Sequence, residues 1–293
     1  MALAELVPEF SRNYLQQLIG RGVVTVNGSP CIKSSSRVKA GDTGVIELQP
    51  TPQSQAFRPE PMDLQVVFED DYLRVINKPS GLVVHPAPGN WSGTLLNGLL
   101  ASDARANLLP RAGIVHRLDK DTSGLMVVAR TRTVMDSLVK LIAAHEVSRQ
   151  YLALAHRPWV GAKARTVDAP IGRDPRNRLR MAIIDLSQNS GKLAKTEVHL
   201  LEHSANGCLV RCVLHTGRTH QIRVHMSSIG HPLVADELYG GHNAAGMVRQ
   251  ALHAFHLSFI HPVTSRRMLF HAPLPPDFKA AVAEWGLSYT AAD

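Results

Sequence analysis

The chain has 293 residues, of which 44% are hydrophobic, and its 32 Lys and Arg outnumber 24 Asp and Glu to give a net charge of +8. These values predict a globular protein of one or two domains and favour a polyanionic partner. The three cysteines are too few for a disulfide framework and indicate a reducing, cytoplasmic environment. We expect neither a signal peptide nor a membrane-spanning segment.

Residues 1–50 predict a small basic unit of helices and strands. A capping serine precedes a helix predicted over Arg12–Gly20, and an Asn-Gly pair after the strand 23–26 marks a hairpin turn. A further strand is predicted at 45–48. Segment 51–62 is rich in proline and polar residues, which predicts a semi-rigid linker.

Residues 63–290 predict one larger domain. A threonine at 94 is placed to cap a helix at 95–100, and apolar spacing predicts a second helix at 133–145. The predicted strands are 73–77, 125–129, 151–155, 195–201 and 209–214. Strands broken by a few helices, without steady alternation of the two, predict an α+β fold with a mixed, largely antiparallel sheet.

The fifteen histidines raise the question of a metal site. His199 and His203 have the spacing of one helix face, but the segment around them alternates like a strand. No Cys or acid completes a ligand set with zinc spacing, so the sequence predicts no metal.

The segment 116–125, His-Arg-Leu-Asp-Lys-Asp-Thr-Ser-Gly-Leu, is the most informative part of the chain. Asp119 stands between Arg117 and Lys120, and nearby positive charge stabilises a carboxylate as the anion. A tight turn at 122–124 follows it. On this segment alone, an Asp that caps a turn and an Asp that acts as a nucleophile or base both remain open.

Three further blocks occur with it along the chain. They are Ile-Asn-Lys-Pro-Ser-Gly-Leu-Val-Val-His-Pro at 76–86, Val-Ser-Arg-Gln-Tyr at 147–151, and Gly-Arg-Thr-His-Gln-Ile-Arg-Val-His-Met at 217–226. Together the four blocks resemble the motifs of the RluA/RluD family of RNA pseudouridine synthases, and in particular its RluD type. The resemblance implies a sheet crossed by an RNA cleft. It also implies an S4-like α/β RNA-binding domain over residues 1–50, whose first helix is expected to be short.

The resemblance assigns roles to three side chains. Asp119 is expected to attack the sugar C1′ or to take a proton that leads to a glycal, and both routes remain open. Arg223 is expected to pair with this carboxylate, since guanidinium stays charged and can hold a carboxylate through two hydrogen bonds. Tyr151 is expected to stack on the flipped uracil and to help remove the C5 proton.

Other residues are expected to bind RNA or shape the pocket. The resemblance implies that Arg117 fills the gap left by the extruded base and that Lys78 supports the loop carrying the nucleophile. His116 is expected to orient that loop. Leu118 and Ile222 are predicted pocket walls. The remaining predicted RNA-binding residues are Arg12, Arg21, Lys33, Arg37, Arg173, Arg176, Arg178, Arg180, Arg218 and His220.

The sequence therefore predicts an enzyme that isomerises uridine to pseudouridine in large-subunit (23S) ribosomal RNA, without a cofactor. We expect a cytoplasmic monomer whose partner is ribosomal RNA, either free or within a pre-ribosomal large subunit. Two alternatives remain open: a transfer RNA pseudouridine synthase, and a non-catalytic RNA-binding or ribosome-assembly protein on the same fold. A glycosidase is disfavoured, since nothing marks Asp121 as the second, proton-donating carboxylate.

Overall fold

The computed structural model describes residues 2–7, 10–49, 56–177 and 179–290, and the chain divides into two compact units, 1–58 and 59–293. Residues 51–55 of the predicted linker lie outside the described residues. The last four residues predicted as linker belong to the second unit. There the Glu60 backbone N–H donates to the Asn97 carbonyl at 3.0 Å, and the Glu60 carboxylate accepts from the Gly93 N–H at 2.8 Å.

The described residues of the first unit form two helices and a three-stranded antiparallel sheet in the order β2-β1-β3. Its elements are α1 (Ala2–Leu6), α2 (Arg12–Gly20), β1 (Val24–Val26), β2 (Ser29–Pro30) and β3 (Gly44–Ile46). The Ser11 hydroxyl accepts from the Tyr14 N–H and caps α2 as predicted. Leu18, Ile19 and Val24 form its small buried core.

The second unit contains the other helices and strands. Its helices are α3 (Leu95–Ser102), α4 (Arg132–Ala143), α5 (Gln221–Ser228) and α6 (Pro276–Glu284), with short 3-10 helices at Ala104–Leu108, Pro110–Gly113 and Glu237–Tyr239. Its strands are β4 (Val66–Glu69), β5 (Leu73–Lys78), β6 (Ser123–Ala129), β7 (Ser148–His156), β8 (Ala164–Asp168), β9 (Ile171–Arg173), β10 (Met181–Ile183), β11 (Gly191–Lys192), β12 (Lys195–His203), β13 (Gly207–Leu214), β14 (Leu252–Ile260) and β15 (Arg267–His271).

A mixed sheet organises this unit. Within the described residues it has nine strands, in the order β4-β5-β6-β14-β7-β13-β12-β8, with β15 also paired to β14. Every neighbouring pair is antiparallel except β6 and β14. A small second sheet has the order β10-β9-β11. The predicted α+β fold with a largely antiparallel mixed sheet is confirmed.

The strand β7 shows how alternation positions the site. Tyr151, Ala153 and Ala155 pack into one buried cluster together with residues of α3 and α5, whereas Leu152 and Leu154 pack into the cluster beneath α6. Successive side chains of a strand point to opposite faces. The face of β7 that carries Tyr151 is therefore the one on which the cleft described below is built.

The parallel pairing of β6 with β14 fixes the start of β6. Gly124 has a φ of +115°, and a Cβ there would collide with the backbone of Ala254. Only glycine allows the two strands to approach so closely. This contact anchors the C-terminal end of the loop 114–122, which carries Asp119.

Helix α6 and the strands β4, β8 to β11, β14 and β15 have no counterpart in the sequence-based prediction, and two further helices differ from it. Helix α4 ends at Ala143, two residues early, because the chain turns at His145, whose φ is +62°. Residues 221–228, which begin within the fourth motif and extend two residues past it, form the helix α5, which no periodicity predicted. No helix in the described part of the chain is both long and apolar enough to span a bilayer.

Candidate active site

An open cleft of about 920 Å³ lies on the second unit. The loop 114–122, strand β7 and the start of α5 contribute its central side chains. The cleft brings together Asp119, Tyr151 and Arg223, which are far apart in the sequence. His116, Arg117, Leu118, Arg218, His220 and Ile222, also predicted from the sequence, line the same cleft.

Arg223 links two carboxylates. Its Nη1 donates to Asp119 Oδ2 at 3.1 Å, while Nε and Nη2 each donate to a separate oxygen of Asp236 at 2.7 Å. The Asp236 side chain is 1% exposed and that of Asp119 is 15% exposed. The bidentate grip on the buried acid fixes the guanidinium plane, and the remaining nitrogen then orients the accessible carboxylate.

The electrostatics of Arg223 favour its charged form. Burial disfavours the cation, but the hydrogen bonds and charge of Asp236, with the charge of Asp119, outweigh it and raise the pKa of Arg223. The guanidinium carbon also lies 5.0 Å from the centre of the Tyr239 ring. The site therefore holds one fixed cation between two acids.

Lys78 anchors the loop that carries Asp119. Its side chain is fully buried, and Nζ donates to the carbonyls of Pro79 at 2.7 Å and of Leu82 and Lys120 at 2.9 Å. Burial, partly offset by the charge of nearby acids, lowers the pKa of Lys78 to about 7. The bond to the residue directly after Asp119 ties the loop to the end of β5.

Two further side chains, from the segment directly before β14, hold the same loop. Arg249 Nη1 donates to the Asp121 carbonyl at 2.9 Å, and Gln250 Nε2 donates to the Thr122 hydroxyl at 3.3 Å. Because these contacts and that of Lys78 hold the three residues directly after Asp119, the loop that presents this carboxylate is well anchored.

Tyr151 is buried, and its side chain lines the cleft. Burial raises the pKa of Tyr151 to about 12, against the opposing effect of Arg149 and with a further increase from Asp119. Its hydroxyl is therefore protonated at neutral pH. The ring can stack on a base, and the hydroxyl can form hydrogen bonds, but the free protein supplies no phenolate.

Two histidines of the cleft have pKa values below the usual value for histidine. The Val127 N–H donates to His116 Nε2 at 3.0 Å, and burial with the charge of Arg149 lowers the pKa of His116 to about 3. His220 Nε2 lies 3.9 Å from Asp119 Oδ1, and its Nδ1 lies 2.7 Å from the Tyr239 hydroxyl. Burial lowers the pKa of His220, although Asp119 opposes this effect.

The other predicted pocket residues lie around these groups. Leu118 and Ile222 are buried and belong to the cluster beneath the cleft. Arg117 is exposed. Arg218 Nε donates to the Leu193 carbonyl at 3.0 Å, and its backbone N–H donates to Gln221 Oε1 at 3.0 Å, which shapes the turn before α5.

The described residues of the predicted basic loop 173–180 do not line the cleft. Buried Asp174 organises it, since its carboxylate accepts from the Arg176 N–H at 2.8 Å and from Arg180 Nε at 2.5 Å. The side chain of Arg176 is exposed. Arg173 is also exposed at the end of β9, and Arg178 lies outside the described residues.

The predicted basic residues of the first unit are all exposed on its surface. They are Arg12, Arg21, Lys33 and Arg37.

Sequence reasoning missed Asp236, Tyr239 and Arg149. Asp236 lies 13 residues after Arg223 in a loop, a separation with no recognisable pattern. Arg149 stands two residues before Tyr151 on a strand, which would have placed it on the cleft side once Tyr151 was assigned there. Among the described residues no group of three His, Cys, Asp or Glu side chains is arranged to hold a metal ion.

Comparisons with known proteins show which family the chain belongs to. The family model described as RNA pseudouridylate synthase matches residues 72–228, which include Asp119, Tyr151 and Arg223. A ribosomal large subunit pseudouridine synthase D from Neisseria meningitidis serogroup B is 46% identical over 288 residues, which cover 94% of this chain and 75% of the relative.

Two further relatives extend the comparison. An uncharacterized RNA pseudouridine synthase of Bacillus subtilis, YlyB, is 44% identical over 278 residues, covering 94% of this chain and 89% of the relative. The solved structure of human RNA pseudouridylate synthase domain containing 1 has a TM-score of 0.58 at 27% identity, over 80% of this chain and 90% of that one. The chain belongs to the RNA pseudouridylate synthase family.

Proposed function

We propose that this protein converts uridines of large-subunit ribosomal RNA to pseudouridine, with Asp119 as the reactive carboxylate. The observation that carries the proposal is the contact between Arg223 and Asp119, which orients an accessible carboxylate in an open cleft. The names of similar proteins, among them three ribosomal large subunit pseudouridine synthases D from different bacteria, support the choice of RNA.

The reaction breaks the N1–C1′ bond of uridine, turns the base and joins C5 to C1′. Asp119 can attack C1′ directly or remove a sugar proton to give a glycal, and the geometry is compatible with both. Arg223 stabilises the anionic carboxylate that either route requires. Tyr151 offers a flat face for the flipped uracil, and its hydroxyl can relay the C5 proton by accepting it on oxygen while its own proton passes to water.

Binding requires that the target uridine leaves its stack. Arg117 is exposed beside Asp119, so it can occupy the vacated position and offset part of the unstacking free energy. The exposed arginines of the loop 173–180 can contact phosphates on the flanking RNA. A base that is already splayed out in a hairpin loop is the substrate that this cleft accepts most easily.

We further propose that the first unit is an S4-like RNA-binding domain. Its two helices, three-stranded sheet and exposed basic side chains support this assignment. We expect these side chains to contact phosphates and to position the enzyme on ribosomal RNA without reading its sequence. We expect the protein to act as a cytoplasmic monomer, on free ribosomal RNA or on a pre-ribosomal large subunit.

The substrate is tested by mapping pseudouridines in ribosomal and transfer RNA from cells with and without this gene. We expect loss of specific pseudouridines from large-subunit ribosomal RNA alone. Loss confined to transfer RNA would replace the proposed substrate, and an unchanged map would favour an RNA-binding role.

The role of Asp119 is tested with Asp119→Asn, which keeps the shape of the side chain and removes its charge. We expect no pseudouridine on ribosomal RNA transcripts and an RNA affinity within a few-fold of the wild type. Asp121→Asn is the matched control, since it neutralises a nearby acid of the same loop. Turnover by Asp119→Asn would overturn the mechanism.

A further inference from the structure

Arg149 is a buried cation without a compensating anion. The residue is 6% exposed and lines the cleft. Its Nε is fully buried and has no hydrogen-bond partner. Across the described parts of both units, no carboxylate lies within ion-pair distance of its guanidinium. Because burying an unpaired charge is strongly unfavourable, such a group points to a ligand that completes it.

His116 presents a second unsatisfied donor to the same region. Because its Nε2 accepts the Val127 N–H, the proton of the neutral ring lies on Nδ1. That Nδ1 is buried and has no partner. Both side chains line the cleft, and the charge of Arg149 adds to burial in lowering the pKa of His116. Two donors without acceptors predict a ligand with oxygen acceptors.

The location of Arg149 relative to Tyr151 indicates which part of the RNA supplies these acceptors. The two residues are neighbours on the same face of β7, about 7 Å apart along the strand. The charge of Arg149 also acts on the Tyr151 hydroxyl. If Tyr151 stacks on the flipped base, the guanidinium lies beside the edge of that base, where uracil carries its two carbonyl oxygens.

We propose that Arg149, assisted by His116, binds a carbonyl oxygen of the flipped uracil and stabilises the negative charge that develops there. The inference rests on the proposed function. When the N1–C1′ bond breaks, its electron pair goes to N1 and the base becomes a uracil anion whose charge spreads onto O2 and O4. This holds whether Asp119 has formed a bond to C1′ or has taken the sugar proton. A fixed donor aimed at that charge lowers the barrier.

The first test uses Arg149→Met on in vitro transcribed large-subunit ribosomal RNA under single-turnover conditions. We expect the rate to fall by about 100-fold to 1,000-fold, as for removal of one oxyanion donor, with RNA affinity within a few-fold of the wild type. Arg267→Gln, which removes an exposed arginine on β15, is the matched control and should react at the wild-type rate. A full rate for Arg149→Met would overturn the inference.

Stability distinguishes this role from a structural one. Since Met replaces an unpaired buried charge with an apolar side chain, we expect the melting temperature of Arg149→Met to be unchanged or higher. A marked decrease would show that Arg149 supports the fold, against the inference. Gly217→Ala provides a second variant, because the new Cβ would lie 2.9 Å from Arg149 Nη1 and displace the guanidinium while its charge remains. We expect it to slow the reaction by up to about 100-fold.

The leaving base supplies the most specific readout. Fluorine at C5 makes the uracil anion more stable, so RNA that contains 5-fluorouridine should depend less on Arg149. We expect the ratio of wild-type to Arg149→Met rates, measured as loss of the parent nucleoside, to shrink at least tenfold. Equal ratios on both RNAs would overturn the inference. So would a loss of RNA affinity in Arg149→Met together with a weaker dependence of that affinity on salt concentration, because Arg149 would then be a phosphate contact. Wild-type enzyme inactive on ribosomal RNA would instead reject the proposed substrate.

Discussion

Asp119 and Arg223, 104 residues apart in the chain, meet at 3.1 Å in the cleft. Arg223 reaches Asp119 with one nitrogen only, because its other two nitrogens each donate to Asp236. Fixing the arginine through a buried acid leaves a single, directed hydrogen bond for the reactive carboxylate. The orientation of Asp119 is therefore set by a residue that does not itself face the cleft.

Asp236→Asn should separate this positioning effect from RNA binding. The variant leaves the buried Arg223 charge without its bidentate partner, so we expect a loss of about 3–5 kcal/mol in unfolding free energy. We also expect the single-turnover rate to fall at least tenfold, because Arg223 is free to reorient. RNA affinity, measured by filter binding, should stay within a few-fold of the wild type.

Asp103→Asn is the control for lost stability. It removes a partly buried partner of Arg130, whose Nε lies 2.7 Å from the Asp103 carboxylate, outside the cleft. This variant should lose stability and keep its rate per folded molecule. If Asp236→Asn is as active as Asp103→Asn, Asp236 has no positioning role.

The sequence predicted the contact between Asp119 and Arg223 through a resemblance between motifs, and it could not predict Asp236. Motif residues form contiguous blocks that can be compared along the chain. Asp236 stands alone in a loop, and only the turn after α5 brings it to Arg223. Burial and pairing of a lone acid are consequences of tertiary structure, so no local pattern reports them.

The same contrast between local sequence patterns and tertiary contacts applies to the helices and strands. The strand β6 was predicted because its continuous apolar run follows from burial on both faces. Helix α5 was not predicted, since its first residue follows His220 in the left-handed conformation and lacks a side-chain cap. Six of its residues are buried, including Arg223 and His225, so the usual polar face is missing. Contacts to β10 and β12, among them hydrogen bonds of Gln221 and His225 with the Thr196 hydroxyl, stabilise this helix, rather than its intrinsic propensity.

Tyr151 variants should separate stacking from proton removal. Tyr151→Phe keeps the ring, so we expect RNA affinity to remain while the rate falls about 100-fold if the hydroxyl assists loss of the C5 proton. Tyr151→Leu should also weaken binding of the flipped base, by about 1–3 kcal/mol. Uridine deuterated at C5 gives the check: a larger isotope effect for Tyr151→Phe than for the wild type supports the proton role. An unchanged rate and isotope effect would leave Tyr151 with stacking alone.

Lys78 should make stability depend on pH in a direction set by its burial. Its pKa is lowered from 10.5 to about 7 on folding, so between these values the unfolded chain binds more protons than the folded protein. Unfolding free energy therefore rises with pH across this window and is insensitive to Lys78 below pH 7. Relative to Lys78→Met, which cannot titrate, the wild type should gain a few kcal/mol between pH 7 and 10. A constant difference in denaturant titrations would show that Lys78 stays charged.

The exposed basic residues of the first unit should contribute affinity and not chemistry. Arg12→Gln combined with Arg37→Gln removes two exposed charges, and each lost phosphate contact should reduce the slope of log affinity against log salt by about 0.7–0.9. The rate at saturating RNA should be unchanged, because both residues lie in the unit without Asp119. Lys279→Gln, which removes an exposed charge on α6, controls for net charge and should leave the slope unaltered. The same slope in the double variant and in Lys279→Gln would argue against RNA binding by the first unit. A lower rate of the double variant at saturating RNA would show that the first unit takes part in presenting the uridine.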